Sequence, residues 1–374
     1  MYEFVKAKGV YLIDKEGNKY IDLISGIAVN NIGHRNKAVR KAVKKQLKAY
    51  LHQMVYGEYI QAPQIKLAKS LVEILPDNLQ SVYLLNSGSE AIEGALKLVK
   101  KATGRHKIVA FRNAYHGSTS GALSLMDNEY YSGSFKPLLP QIQFAEFNNI
   151  DSLDVIDKDT AGVFIEPIQG ESGYKVADEA FLKALRKKCN ETSSLLVFDE
   201  IQSGMGRTGT MFAFEQLGVI PDVLCLAKGL GGGMPISCFI SSKEHMDTLK
   251  NNPILGHITT FGGHPVSAAA AHATVQFIME EQVCQSISNK ENLFRKLLEH
   301  SKIKTISGKG LMLAVHLSSF EEVDKVINYC YEHGLIIDWF LYANTALRIS
   351  PPLIITDVQI TEVCTTIMEA LNQL

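Results

Sequence analysis

Asp199 and Lys228 stand out in this chain because each follows an apolar segment at the point where a strand is expected to end. Asp199 follows the segment 195–198, and Lys228 follows the segment 223–227 and precedes a cluster of glycines. A lysine that leaves a strand for a glycine-lined cavity loses hydration, so its pKa falls and the amine becomes nucleophilic. An aspartate at the end of a neighbouring strand suits a cationic ring nitrogen, so the pair matches the chemistry of pyridoxal phosphate. The alternative for Lys228 is an ordinary lysine at the end of a strand.

A short polar segment between a predicted strand and a predicted helix could bind an anion. Its sequence is Asn86-Ser-Gly-Ser-Glu-Ala91. Serine hydroxyls and free backbone N–H groups at the start of a helix form a cradle for phosphate. The same residues are also typical of simple helix capping, with Glu90 near the cap. A cofactor that carries a phosphate favours the cradle.

An aromatic residue and a histidine follow another predicted strand, in Asn113-Ala-Tyr-His-Gly-Ser-Thr119. Tyr115 could cover one face of a planar ring at the edge of the sheet. It could equally be an aromatic residue at the rim of a site, and His116 alone indicates no particular role.

Three further charged residues could take part in chemistry. Glu166 and Glu171 follow another apolar run and could be acid and base groups, although a solvated turn is the ordinary explanation for such a pair. Arg348 is a single cation within the apolar segment 346–352. A surface or edge position is the ordinary explanation for it, and a buried fork for a substrate carboxylate is the more specific one.

The segment Gly204-Met-Gly-Arg-Thr-Gly209 matches the pattern of a dinucleotide-binding loop. That pattern requires a helix to begin within the glycines and an acidic residue to end the next strand. Here the segment 199–202 separates the strand from the glycines, and Asp222 precedes the next strand instead of ending it. The segment is therefore predicted to be a glycine-rich loop of the active site and not a nicotinamide site.

The order of the predicted elements indicates an α/β fold. A β-hairpin is predicted over 9–24, and strands alternate with helices from about 80 to 260, which favours a mostly parallel sheet that binds ligands beyond the carboxyl ends of its strands. A helical region is predicted over 264–300, and the segment 303–374 predicts a smaller α+β terminal domain. The expected boundaries are residues 1–40 for an N-terminal hairpin segment that packs with the small domain, 41–275 for the large cofactor-binding domain and 276–374 for the small domain.

Composition argues against several other classes of protein. The chain has 374 residues, 46% of them hydrophobic, with 38 basic and 39 acidic residues. This balance gives no indication of a nucleic-acid or membrane partner, and no apolar run reaches the length of a membrane span. The six cysteines are scattered and form no CxxC pair, so neither a disulfide framework nor a metal site is expected. With no signal sequence visible, a cytoplasmic enzyme is expected.

Taken together, the motifs resemble those of class III (ω-type) pyridoxal phosphate-dependent aminotransferases, nearest the acetylornithine, ornithine and 4-aminobutyrate group. The resemblance covers nearly the whole chain, from Gly17 to Arg348. Its most specific parts are Phe198-Asp-Glu-Ile-Gln202, Gly206-Arg-Thr-Gly209, Ala227-Lys-Gly229 and Thr259-Thr-Phe-Gly-Gly263. It implies the type I fold of these transferases, with a large domain on a mostly parallel central sheet and a smaller α+β terminal domain.

The resemblance also implies a role for each matching residue. Lys228 matches the lysine that forms an imine with pyridoxal phosphate, and Asp199 matches the partner of the pyridine nitrogen. Arg348 matches the arginine that holds the α-carboxylate of glutamate, and Glu171 matches the acid that pairs with it when another substrate is bound. The other matches are cofactor-binding groups: Gly88 and Ser89 in the phosphate loop, Tyr115 stacked on the ring, Gln202 beside the ring hydroxyl, and Thr260, which reaches the phosphate from the neighbouring subunit. This last match implies a homodimer with active sites at the interface.

Three features depart from the ornithine-type pattern. Ser118 stands where that pattern has an arginine, in His-Gly-Arg-Thr, which helps to hold a substrate carboxylate. In this respect the chain is more similar to relatives that use ω-amino acids or simple amines. His264 stands where an asparagine is usual, and the chain begins close to the first hairpin, so the N-terminal segment common in the family is expected to be short or absent.

The expected reaction is a ping-pong transamination. The ω-amino group of ornithine, N-acetylornithine or a similar amino acid moves to 2-oxoglutarate, and Arg348 holds the acceptor. An amine or ω-amino acid:pyruvate aminotransferase, a decarboxylase or racemase of the same fold, and a non-catalytic binding protein are the alternatives. The pocket for the amino donor is expected around Ile27, Val29, Tyr56 and Ser118.

Overall fold

The computed structural model describes residues 3–55 and 57–374, so Tyr56 lies outside the described residues. In chain order the strands are β1 (Phe4–Lys8), β2 (Tyr11–Asp14), β3 (Lys19–Asp22), β4 (Ser81–Leu85), β5 (Lys107–Phe111), β6 (Ile142–Ala145), β7 (Thr160–Ile165), β8 (Ile168–Gln169), β9 (Lys175–Val176), β10 (Leu195–Asp199), β11 (Val223–Leu226), β12 (Ser237–Ser241), β13 (Thr305–Lys309), β14 (Met312–His316), β15 (Leu335–Ile336), β16 (Asp338–Trp339) and β17 (Ala346–Ile349). The helices are α1 (Ser25–Ala28), α2 (Lys37–Ala49), α3 (Ala62–Val72), α4 (Gly88–Thr103), α5 (Ser120–Leu123), α6 (Glu129–Ser132), α7 (Glu179–Thr192), α8 (Lys243–Asp247), α9 (Pro265–Glu280), α10 (Ile287–Leu297), α11 (Phe320–Glu332) and α12 (Asp357–Asn372).

A seven-stranded sheet in the order β4-β12-β11-β10-β7-β5-β6 forms the centre of the described chain. The strands from β11 to β6 pair in parallel, and β12 lies antiparallel between β4 and β11. Every residue of β7, β10 and β11 is buried, because helices cover both faces of such a sheet and its strands become apolar throughout. The predicted fold class, α/β with a mostly parallel central sheet, is confirmed.

The direction of the central strands determines where the polar segments meet. Because β12 runs antiparallel to both of its neighbours, β4 points the same way as β11. The carboxyl ends of β4, β5, β7, β10 and β11 therefore lie at one edge of the sheet. The segments that follow these strands carry most of the predicted site residues, whereas Arg348 lies on β17 and Thr260 precedes α9.

The N-terminal segment joins the C-terminal part of the chain through a second sheet. The predicted hairpin is present, since β2 pairs antiparallel with β3, and the Asp14 carboxylate accepts a hydrogen bond of 2.8 Å from the backbone N–H of Asn18 in the turn. β15 then pairs in parallel with β3. The division of the chain at residues 40 and 275 stays a prediction.

The helical region predicted over 264–300 is divided into α9 and α10. Between them Gln282 has a φ of 49°, a left-handed conformation that ends a regular helix. α2 and α3 both pack against α9. Within the described ranges, no helix combines the length and the apolar character that crossing a bilayer requires.

Candidate active site

A cavity of about 430 Å³ opens at the carboxyl ends of the central strands. Its lining combines residues that follow five different strands, so it exists only in the folded chain. Six of the predicted site residues line it: Gly88, Ser89, Tyr115, Asp199, Gln202 and Lys228.

Lys228 leaves the sheet in a strained conformation directly after β11. It begins a short 3-10 turn and has a φ of 42°, which costs a residue other than glycine roughly 1–3 kcal/mol. Burial lowers the pKa of the Lys228 amine, and the nearby carboxylates of Glu171 and Asp199 only partly oppose this shift. Close packing explains the glycine that follows, because a Cβ on Gly229 would lie 2.5 Å from the Asn31 side chain.

Asp199 is held by a buried histidine that the sequence left without a role. Nδ1 of His116 lies 2.7 Å from Oδ2 of Asp199, and the backbone N–H of Ile201 donates to Oδ1 at 3.0 Å. Burial alone would lower the pKa of His116, but the hydrogen bond and the charge of Asp199 raise it. The contacts with His116 and Ile201 therefore fix the direction of the Asp199 carboxylate. The sequence contained one indication of this contact: His116 follows β5, whose carboxyl end lies at the same edge of the sheet as that of β10.

Glu166 is a second buried group that lines the cavity. Its carboxylate accepts hydrogen bonds from the backbone N–H groups of Tyr115, at 2.9 Å, and Gly170, at 2.8 Å. Burial raises the pKa of Glu166 to about 7. Glu166 and Glu171 are 5% and 6% exposed, so the ordinary explanation of a solvated turn is wrong for both.

The start of α4 is both a capped helix and one wall of the cavity. Ser87 and Glu90 form a reciprocal capping box, in which the Ser87 hydroxyl accepts from the N–H of Glu90 at 3.3 Å. The N–H groups of Gly88 and Ser89 belong to the first turn and have no acceptor within the helix. A Cβ on Gly117 would lie 2.1 Å from the Ser89 hydroxyl, so the loop after β5 can close on α4 only with glycine there. Helix capping and a phosphate cradle, the two alternatives for this segment, are therefore compatible.

Arg348 lies in the middle of a sheet and not at the surface. β17 pairs with β14 on one side and β16 on the other, and Arg348 is 2% exposed. Nη1 and Nη2 donate to the two carboxylate oxygens of Glu171 at 3.2 and 2.8 Å. Nη1 also lies 3.4 Å from Oε1 of Gln202, a residue that lines the cavity. The ordinary explanation of a surface or edge arginine is wrong, and the fork is buried beside the cavity.

Ser118 and Thr260 lie outside the lining of the cavity, and both are exposed. The Ser118 hydroxyl is 3.2 Å from the Tyr115 hydroxyl, and its backbone N–H donates to the Ser89 hydroxyl at 3.2 Å. Ser118 is therefore at the rim, next to the predicted stacking residue. Thr260 does not reach the cavity of its own chain.

His264 and Arg207 have structural positions. His264 caps α9, since its Nδ1 accepts from the N–H of Val266 at 3.3 Å, which is a capping role that asparagine also fills. Arg207, in the glycine-rich segment, is fully buried and donates to the carbonyl oxygens of Leu311 and Pro351. The segment 204–209 does not line the cavity. The prediction that it forms an active-site loop is wrong, because its arginine instead joins distant parts of the chain.

The fold and the cavity bring together a lysine amine of lowered pKa, a buried carboxylate and the first turn of a helix. The family model for class-III aminotransferases matches residues 1–371, and the chain belongs to this family. It is 41% identical to an acetylornithine aminotransferase of Methanocaldococcus jannaschii over 94% of this chain and 88% of that one. It is 40% identical to a [LysW]-aminoadipate semialdehyde/glutamate semialdehyde transaminase of Sulfurisphaera tokodaii over 84% of this chain and 81% of that one.

A solved structure supports the same assignment. The ornithine aminotransferase of Toxoplasma gondii superimposes with a TM-score of 0.92 at 28% identity, covering 99% of this chain and 90% of that one. The cofactor of the chain is pyridoxal phosphate. The groups present fit it, because an anion cradle, a carboxylate and an amine of lowered pKa face one cavity of a size typical for small-molecule sites.

Proposed function

We propose that this aminotransferase moves the ω-amino group of ornithine, N-acetylornithine or a similar amino acid to 2-oxoglutarate by a ping-pong mechanism. The buried pair of Arg348 and Glu171 beside the cavity carries the proposal, since such a fork suits the α-carboxylate of a dicarboxylic acceptor. The names of the relatives from Methanocaldococcus jannaschii and Toxoplasma gondii support the class of donor.

Lys228 and Asp199 are the residues proposed to carry out the chemistry. Bound pyridoxal phosphate supplies a carbonyl group that reacts with amines and a ring that accepts an electron pair. Burial lowers the pKa of Lys228 and so favours the unprotonated amine, whose Nζ can accept a proton from a substrate carbon and pass it on. Asp199, held by His116, keeps a proton on a cationic ring nitrogen through its charge.

The remaining contacts are proposed to position the cofactor. Gly88 and Ser89 offer first-turn N–H groups to the phosphate, Tyr115 covers one face of the ring and Gln202 lies beside the ring hydroxyl. Each of these residues lines the cavity.

Arg348 and Glu171 are proposed to act as a switch between two kinds of substrate. When a dicarboxylate is bound, its carboxylate takes the place of Glu171 on the guanidinium. When the ω-amino end of the donor is in the cavity, Glu171 returns and neutralises Arg348, because an unpaired charge buried at this depth would cost about 3–5 kcal/mol.

Two further features belong to the proposal. Thr260 is exposed, which allows it to reach the phosphate of a neighbouring subunit in a homodimer with active sites at the interface. All six cysteines are free, which supports a reducing, cytoplasmic environment.

A second candidate is an aminotransferase for amines or ω-amino acids with pyruvate as acceptor. Ser118 favours it, since this rim residue has no charge with which to hold a donor carboxylate.

Separate half-reactions distinguish the two candidates. The holoenzyme would first be converted to its aminated form with ornithine, N-acetylornithine, 4-aminobutyrate or 1,5-diaminopentane. The aminated form would then be mixed with 2-oxoglutarate or pyruvate while the cofactor absorbance is followed. We expect 2-oxoglutarate to react at least about tenfold faster at equal concentration, equivalent to about 1.4 kcal/mol. If the aminated form reacted faster with pyruvate, 2-oxoglutarate would be refuted as the acceptor and the second candidate would be established.

A further inference from the structure

Helix α2 has one strongly basic face. Within the segment 35–48 the chain has seven lysine and arginine residues and no acidic residue. Six of them lie on α2 and are exposed, and together they line a shallow depression: Lys37, Arg40, Lys41, Lys44, Lys45 and Lys48. At 100° and 1.5 Å per residue these side chains cover an arc of roughly 140° and a length of about 16 Å. We call this surface the basic face of α2.

The charges of this face are not balanced by neighbours. Among the described residues, none of the salt bridges includes any of the six. The chain as a whole has 38 basic and 39 acidic residues, so without these six the remainder has seven more acidic than basic residues. The face is a local positive field on an otherwise acidic chain. Like charges at this spacing destabilise a helix slightly.

The geometry restricts what such a face can bind. A nucleic acid is an extended polyanion and would run past a stripe of about 16 Å onto an acidic remainder. The stripe has five lysines and one arginine and no aromatic side chain, although arginine and aromatic residues are the usual phosphate and base contacts. Binding to a membrane surface also needs several apolar residues for insertion, and Leu47 is the only large apolar side chain that α2 exposes. The opposite face of α2, which carries the buried Val39, is packed against α9.

We infer that the basic face of α2 binds an acidic segment of a partner protein, through a row of aspartate and glutamate side chains about as long as the stripe. This inference does not depend on which amino donor the enzyme uses. Complementary charge of this kind speeds association and selects the partner, and its contribution decreases with salt.

The inference can be tested with a synthetic partner. The probe is a helical peptide of about 12 residues with glutamate at every third or fourth position, and its control has glutamine at those positions. The variant K41Q/K44Q/K48Q removes three charges from the face. A matched variant, K158Q/K296Q/K304Q, removes three charges from exposed lysines elsewhere that are absent from the salt bridges of the described residues.

We expect saturable binding of the glutamate peptide to the holoenzyme at low salt, with a Kd that rises about tenfold or more in the α2 variant and changes less than about twofold in the matched variant. Transaminase activity and oligomeric state should be the same in all three proteins. Equal weakening in both variants, or binding of the glutamine peptide, would contradict the inference. Tighter binding of a duplex DNA of the same length or of phosphatidylserine vesicles would also overturn it, as would a change of oligomeric state confined to the α2 variant.

Discussion

The guanidinium of Arg348 and the carboxylate of Glu171 meet in two hydrogen bonds of 3.2 and 2.8 Å, although they are 177 positions apart in the chain. Both side chains are buried, and the ring of Phe340 lies 4.3 Å from the guanidinium carbon. Burial raises the pKa of Glu171, but Arg348, Lys228 and the backbone N–H of Leu341 together lower it below its ordinary value, which favours an ionised pair. A substrate carboxylate that takes both of these donors must replace Glu171.

Replacing Arg348 by lysine should impair one half-reaction selectively. Lysine keeps the charge but cannot make two parallel hydrogen bonds to a carboxylate. We expect kcat/KM for 2-oxoglutarate to fall about 100-fold, or about 2.7 kcal/mol, while the half-reaction with 1,5-diaminopentane changes less than about threefold. Single-turnover kinetics of the two half-reactions measure this. The exposed Arg35 offers a matched control, R35K, and equal losses in both half-reactions would contradict the proposed role.

Glu171→Gln should make stability depend on a bound dicarboxylate. The variant leaves Arg348 buried without a counter-charge, so we expect a loss of about 3–5 kcal/mol in the free energy of unfolding. Glutarate, which has two carboxylates and no reactive carbonyl, should restore more stability to the variant than to the unchanged protein. Thermal unfolding with and without glutarate tests this, and an equal effect on both proteins would argue against exchange at the fork.

The same variant should change the response to acid. Because the pKa of Glu171 is lowered from 4.5, its ionisation stabilises the fold above pH 4.5, and this contribution is lost as the pH falls through the lower pKa of the folded state. We therefore expect E171Q to lose less stability than the unchanged protein as the pH falls below 4.5. Denaturant titrations at several pH values provide the comparison.

Lys228→Ala should abolish turnover without unfolding the chain. The variant removes the amine and also relieves none of the backbone strain at φ 42°, so its stability should change by less than about 1 kcal/mol. The visible absorbance of the bound cofactor should change. The variant K228R retains a cation and should be equally inactive, because arginine does not lose its proton. Transamination near the normal rate in either variant would refute the assignment of Lys228.

Glu166→Gln should flatten the dependence of stability on pH. Burial raises the pKa of Glu166 from 4.5 to about 7, so the group stabilises the fold fully below pH 4.5 and this contribution is lost as the pH rises to about 7. The fall in the free energy of unfolding that the variant removes is at most about 3 kcal/mol. Unfolding free energies between pH 4.5 and 8 measure it. A decline of the same size in E166Q would assign the titration to another group.

Ser118→Arg should change the preference among amino donors. Ser118 lies at the exposed rim beside Tyr115, where a guanidinium could reach a carboxylate at the far end of a donor. We expect kcat/KM for ornithine to rise about tenfold relative to 1,5-diaminopentane, since only ornithine has a carboxylate there. The variant S118Q, similar in polarity and uncharged, is the control. An equal change for both donors would show that Ser118 does not contact the donor carboxylate.

Much of the site was predictable because its residues follow strands. Apolar runs that end in a single polar residue predicted Asp199 and Lys228, and the alternation of strands with helices predicted a parallel sheet whose carboxyl ends meet at one edge. β7, β10 and β11 were recognisable since a strand buried on both faces is apolar throughout. The strand β6 and the small sheet of β8 and β9 were not predicted, because such short strands depend on their neighbours more than on their own sequence.

The sequence by itself determined which groups the chain can use, because a lysine, an aspartate, a glycine cluster and a helix cap are local features that a linear pattern records. Only the tertiary structure decided their surroundings. His116 is joined to Asp199 over 83 positions, Glu171 to Arg348 over 177 and Arg207 to Leu311 over 104, and no local pattern distinguishes these buried charges from solvated ones. The cost of burying a charge depends on its partner, and the fold alone brings these partners together.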